Sequence, residues 1–146
     1  EPMVESLSIG VHPHVLIAPP DHPLAGQAGV TRVLYPTRDD HPDRARAQAL
    51  LRGTGGNMLS FEIEGGRAAA NAFAAAAEGV AFAPTLGDVG TTLSHPASSS
   101  HRGLTPEARA AIGISEGFFR VSVGLEDPEA LQDTFGAGLA AARGAR

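Results

Sequence analysis

The sequence predicts an α/β domain, with one sheet and helices mainly on one face. Three observations carry this prediction. Strand-like and helix-like segments alternate in the order β-α-β-α-β-loop-α-β-α. Each of three helical segments opens on an X-Pro start, at His41-Pro42, Thr105-Pro106 and Asp127-Pro128. The length, 146 residues, suits one core.

The elements follow in order. Val30–Tyr35 is a β-rich run stopped by Pro36. Asp40-His41-Pro42 opens a helix, with Asp40 or His41 as the cap, which runs to about Arg52 and closes at Gly53. Asn57–Ile63 is a strand in which Met58, Ser60 and Glu62 alternate with Leu59, Phe61 and Ile63. Gly65-Gly66 turns the chain into an alanine-rich helix, Arg67–Glu78, closed by Gly79. Val80–Ala83 is a short strand ending at Pro84. Thr85–Arg102 reads as a long loop with a short strand near Thr91–Ser94, and loops of that length are commonly functional. Thr105-Pro106-Glu107 starts a helix to about Ile112, Phe118–Val123 is a strand, and Asp127-Pro128-Glu129 opens the last helix to about Arg143. Strand directions do not follow from the sequence.

Residues 1–29 read differently. They hold five of the 11 prolines, and Pro13 and Pro19 limit Val15–Ala18 to an edge strand. The segment is expected to be a loosely ordered Pro/His-rich extension, with the folded domain spanning 30–146. The start at Glu1 fits a processed, trimmed or truncated product.

Composition excludes several classes. Cys 0 removes disulfides and cysteine-based zinc or iron–sulfur sites. A net charge of -5 without a basic stripe disfavours nucleic acid. There is no apolar run of ~18 residues, so no transmembrane helix is expected, and no secretory signal is seen. A cytoplasmic location follows as an expectation. Lys+Arg is 11, and all are arginine. A chain without lysine has no ε-amino group for a Schiff base.

Several residues are candidates for chemistry. Arg120 lies in the apolar run Phe119-Arg120-Val121, where an unpaired charge is costly. Two readings stay open: an internal ion pair with Glu126 or Asp88, or a grip on a ligand carboxylate. The Gly/Thr run Thr85–Thr92 offers hydroxyls and backbone N–H groups of the kind that hold anions. His95 and His101 lack companion carboxylates, so hydrogen-bonding or surface roles outweigh metal binding. Ser98–Ser100 has no nucleophile-elbow pattern, which disfavours a serine hydrolase.

Thr85-Leu86-Gly87, His95-Pro96-Ala97-Ser98, His101, Gly113-Ile114 and Phe119–Asp127 form a pattern with the upstream Val30–Pro36, His41-Pro42 and Gly55–Phe61. That pattern resembles the C-terminal domain of the Cys/Met-metabolism PLP-dependent enzymes. The family includes cystathionine γ-synthase, the cystathionine and methionine γ-lyases, and the O-acylhomoserine sulfhydrylases. The resemblance covers about residues 30–146. It implies the small C-terminal domain of a fold-type I pyridoxal 5'-phosphate (PLP) enzyme of transsulfuration type, performing β/γ-elimination or γ-replacement.

The resemblance also implies roles. Arg120 would grip the substrate α-carboxylate. Thr85, where the family carries serine, would assist by side chain and backbone beside Leu86. Gly90 stands where many γ-lyases and γ-synthases carry a glutamate for the distal amino group of cystathionine. That difference argues for a smaller or differently charged substrate, and Gly87-Asp88 is similar to the sulfhydrylase branch. The family's Schiff-base lysine, ring-stacking aromatic, pyridine-nitrogen aspartate and phosphate loop belong to a large N-terminal domain with no counterpart in this sequence. The chain alone is therefore expected to be inactive. It is expected to be a truncated domain, a product of a split reading frame or a stand-alone paralogue. Its expected partners are an amino-acid substrate, the large PLP-binding domain or a full-length homologue, and other copies of itself. The competing readings are a non-catalytic remnant that pairs with a full-length homologue, and a metal- or anion-binding protein.

Overall fold

The computed structural model describes residues 24–52 and 55–145. The proposed Val15–Ala18 strand and the Gly53 helix stop lie outside these residues. The strands are β1 (Val30–Leu34), β2 (Met58–Ile63), β3 (Ala81–Phe82), β4 (Thr92–Ser94) and β5 (Phe118–Ser122). The helices are α1 (Arg44–Leu51), α2 (Gly66–Ala76), α3 (Pro106–Ala111) and α4 (Pro128–Gly144), with a 3-10 turn at Pro96–Ser98. The five strands form one sheet in the order β1-β2-β5-β4-β3. All neighbours are antiparallel except β3 and β4.

Register separates the two faces of the sheet. Leu59, Val121 and Leu93 stand side by side across β2, β5 and β4, and Phe61 pairs with Phe119. These residues are buried, and α2 and α4 cover them. Phe61 is the hub of the core: its ring lies 5.3 Å from Phe119, 5.4 Å from Phe73 of α2 and 5.9 Å from Phe135 of α4. A Cβ on Gly138 of α4 would come within 2.8 Å of the Phe73 ring, so glycine lets the two helices approach closely. The other face carries Ser60, Arg120 and Ser94 in one row and Met58, Ser122 and Thr92 in the next. The period-2 alternation in the sequence thus produces one apolar and one polar face.

Helix signals were met at α3 and α4. The Thr105 hydroxyl accepts from Ala108 N, and Asp127 Oδ1 accepts from Glu129 N and Ala130 N. The start of α1 differs from expectation. The chain makes successive turns through Tyr35, Arg38 and His41 before the helix begins at Arg44. Asp40 does not cap, because Arg38 holds both its carboxylate oxygens, at 2.9 and 2.7 Å. That pair holds the exposed Asp40 carboxyl below its ordinary range. Strand β3 is only two residues long, because the chain pairs with Thr91–Leu93 over a short stretch before Pro84.

Residues 24–29, expected to belong to the loose extension, pack with the domain. Leu24 is buried in the core, Gly29 O accepts from Glu64 N, and Arg143 donates to Ala28 O. Among the described residues no helix is long and apolar enough to cross a membrane.

Candidate functional site

The site lies on the polar face, where the Thr85–Thr91 loop folds over β4 and β5. Arg120 projects from the middle of β5 and is half-buried rather than buried. Its Nη2 donates to the Thr85 carbonyl at 3.3 Å. The expected ion pair with Glu126 or Asp88 is not formed. Both Glu126 oxygens are taken by Thr91, at 2.5 Å from its N–H and 2.7 Å from its hydroxyl. Asp88 Oδ1 accepts from Gly90 N at 3.2 Å within its own turn. Among the described residues, Arg120 has no carboxylate partner, while five other arginine–carboxylate contacts are made. A neutral carbonyl leaves most of the guanidinium's five donors unused.

Two hydrogen bonds seat the loop beside this arginine, and a third braces one of the side chains that hold it. Thr92 Oγ1 donates to the same Thr85 carbonyl at 3.1 Å. Gly87 N donates to Ser122 Oγ at 2.9 Å, and Asn57 Nδ2 donates to that oxygen at 3.2 Å. Gly87 has φ +76, the left-handed conformation that glycine adopts without strain. Further along, Leu125 N donates to Val89 O at 2.8 Å and Gly124 N donates to Thr91 Oγ1 at 2.9 Å. Thr85 and Leu86 are exposed on the outer side of the loop, and Gly90 is half-buried with Glu126 Oε1 3.6 Å from where its Cβ would be. The structure therefore brings Arg120 to the backbone of Thr85, with Leu86 next in the chain and Gly90 farther along the same loop. Sequence reasoning placed Thr92 in the Gly/Thr run, and Asn57 and Ser122 in the blocks of the family pattern, but gave none of the three a role of its own. Their local signal was the Gly/Thr run for Thr92, and a small polar residue beside or within an apolar strand for Asn57 and Ser122.

The histidines are placed elsewhere. His95 is buried against Phe119, 5.1 Å between ring centroids. Its Nε2 donates to the Glu116 carbonyl at 2.9 Å and its Nδ1 meets Ser98 Oγ at 2.8 Å, so both ring nitrogens are engaged. Burial pushes its pKa below the ordinary histidine value. The Glu116 carboxylate bridges Arg67 and the buried Arg109. His101 Nδ1 meets Ser100 Oγ at 2.8 Å. Among the described residues no group of three metal-ligating side chains is assembled.

Two carboxylates, Glu126 at the site and Glu116 outside it, make the domain's stability depend on pH. Partial burial raises the pKa of both Glu126 and Glu116. The Thr91 bonds on one, and the Arg109 and Arg67 contacts on the other, outweigh burial and hold each below its ordinary 4.5. A folded value below the unfolded one gives stability that is complete above about pH 4.5 and is lost as pH falls through the lower folded value. The melting temperature is expected to fall as pH drops below 4.5, and Glu126→Gln is expected to flatten part of that fall. An unchanged slope in the variant would count against the Thr91 contact as its source.

Fold and site together define a small α/β domain with a half-buried arginine, Arg120, on the polar face of its sheet and no carboxylate bound to it among the described residues. The family profile described as Cys/Met metabolism PLP-dependent enzyme matches residues 22–140. The chain belongs to this PLP-dependent family. It is 42% identical over 118 residues to O-succinylhomoserine sulfhydrylase of Pseudomonas aeruginosa, covering 81% of this chain and 29% of that protein. It is 37% identical over 108 residues to cystathionine gamma-synthase of Escherichia coli, covering 74% of this chain and 28% of that protein. Cystathionine gamma synthase of Xanthomonas oryzae pv. oryzae, solved in complex with cystathionine, matches with a TM-score of 0.75 at 42% identity. That match covers 84% of this chain and 32% of the solved one. The chain spans about 30% of the length of these relatives.

Proposed function

We propose that this chain is the small, substrate-facing domain of a PLP-dependent lyase or transferase acting on sulfur-containing or O-acylated homoserine-type amino acids. The reaction class is β/γ-elimination or γ-replacement. One observation carries the reading: Arg120, set on the polar face beside the Thr85–Gly87 loop, has no carboxylate partner among the described residues. A planar guanidinium placed this way suits the α-carboxylate of an amino acid. In this reading Thr85 contributes a hydroxyl and Leu86 a backbone N–H, and Gly90, without a side chain, leaves room for the distal part of the substrate.

PLP, when bound, supplies the electron sink for chemistry next to the substrate amino group. This chain does not fit the cofactor's covalent anchor, because it contains no lysine. Its residues fit the substrate end instead: they bind and orient the carboxylate. The amine must come from a large PLP-binding domain or a full-length homologue, with assembly of further copies as part of the same reading. A cytoplasmic setting belongs to this metabolic role.

The test pairs the chain with the PLP-binding portion of the Pseudomonas aeruginosa sulfhydrylase and follows turnover of O-succinylhomoserine. Arg120→Ala is expected to lower kcat/KM by about 30- to 1000-fold, roughly 2–4 kcal/mol for removing a charged hydrogen-bonding partner. Full activity in the variant overturns the reading. The lysine-free sequence also favours a second reading, a non-catalytic module that pairs with a full-length homologue. Phe82, Leu86, Val89 and Leu125 are exposed apolar residues of the β3 edge and the adjoining loops. Co-purification of a homologue without any gain in turnover would establish that reading.

A further inference from the structure

Arg120 and Ser122 lie two residues apart on β5, so their side chains share the polar face. Between them they touch both ends of a three-residue segment. Arg120 donates to the carbonyl of Thr85, and Ser122 accepts from the N–H of Gly87. Thr92, opposite Ser122 on β4, donates to the same Thr85 carbonyl. Ser122 is 1% and Thr92 4% exposed. A buried hydroxyl is costly unless bonded, and here each is bonded to the loop.

The Thr85 carbonyl is therefore shared between a fixed donor, the Thr92 hydroxyl, and a flexible one, the Arg120 guanidinium. A β-branched threonine on a strand has few χ1 choices, whereas an arginine has many. The threonine fixes the carbonyl, and the carbonyl then fixes the arginine. Asn57 holds Ser122 in turn, since its amide also donates to Val123 O at 3.3 Å, across from the strand. We propose that Thr92 and Ser122 are positioning residues for the Arg120 carboxylate grip, acting through the Thr85–Gly87 segment. The inference rests on the reading of Arg120 given above.

The test uses the full chain, labelled with nitrogen-15 and titrated with L-methionine. The Arg120 Nε–H and Leu86 N–H signals report binding, and melting temperature is measured on each variant. Thr92→Val keeps the shape and removes the hydroxyl. Thr92→Ser removes a buried methyl and keeps the hydroxyl. Affinity is expected to fall about tenfold in Thr92→Val and in Ser122→Ala, the effect of one net hydrogen bond. It is expected to stay near the original in Thr92→Ser, although that variant loses stability. Affinities that follow melting temperature instead of the hydroxyl overturn the inference and leave Arg120's role standing. Arg120→Ala binding as well as the original chain overturns the carboxylate reading itself. An original chain that L-methionine does not perturb overturns both.

Discussion

Phe61→Ala is expected to be among the most destabilising single substitutions in this domain. The ring is fully buried and touches the rings of Phe73, Phe119 and Phe135. Those three residues come from α2, β5 and α4, so Phe61 joins the sheet to both of its covering helices. Truncation removes the transfer energy of the ring and leaves a cavity that three rigid rings cannot fill, a cost of about 3–5 kcal/mol. For a domain of this size the melting temperature should drop by roughly 10–20 °C. A drop of only a few degrees, read by circular dichroism, would mean that the helices repack across the gap. Phe61→Leu, which conserves more of the volume, should lose much less.

The second large effect is expected at Gly124. A Cβ there would lie 2.5 Å from Gly90 C, Thr91 N and Val89 O, all backbone atoms of the loop that crosses the site. None of these can swing aside as a side-chain tip would. Gly124→Ala must part the two segments, which strains the Leu125 N to Val89 O and Gly124 N to Thr91 Oγ1 bonds. Overpacking of this kind costs about 1–3 kcal/mol, and each weakened bond adds to it. The loss should appear twice: in melting temperature, and in faster exchange of the two donor amides, those of residue 124 and Leu125. Unchanged exchange at both amides would show that the loop is not held by this contact. Gly124 also differs from Gly87, whose requirement is conformational: φ +76 with open space around it.

Much of the fold was legible because its signals are local. Alternation in Met58–Ile63 specified which residues of β2 face the core, and those are the buried ones. Thr105-Pro106 and Asp127-Pro128 predicted helix starts whose caps are made. The same logic failed at Asp40-His41-Pro42. The acids there are bound by arginines, Arg38 on Asp40 and Arg44 on Asp39, so they do not cap the helix. The Leu24–Gly29 segment was misjudged because proline content describes the backbone and not the burial of Leu24.

The site shows the same division. The sequence by itself determined that Arg120 stands in a strand, that a Gly/Thr loop precedes it, and that no lysine accompanies them. It also carried the family, through blocks of contiguous residues. Only the tertiary structure decided which partner each group takes. Glu126 closes on Thr91, and Arg120 meets the Thr85 carbonyl in place of a carboxylate. Those partners are 35 residues apart in sequence, as are Gly87 and Ser122. Such pairings follow from the antiparallel register of β4 on β5, and register is set by burial of the whole apolar face, not by any short stretch of residues.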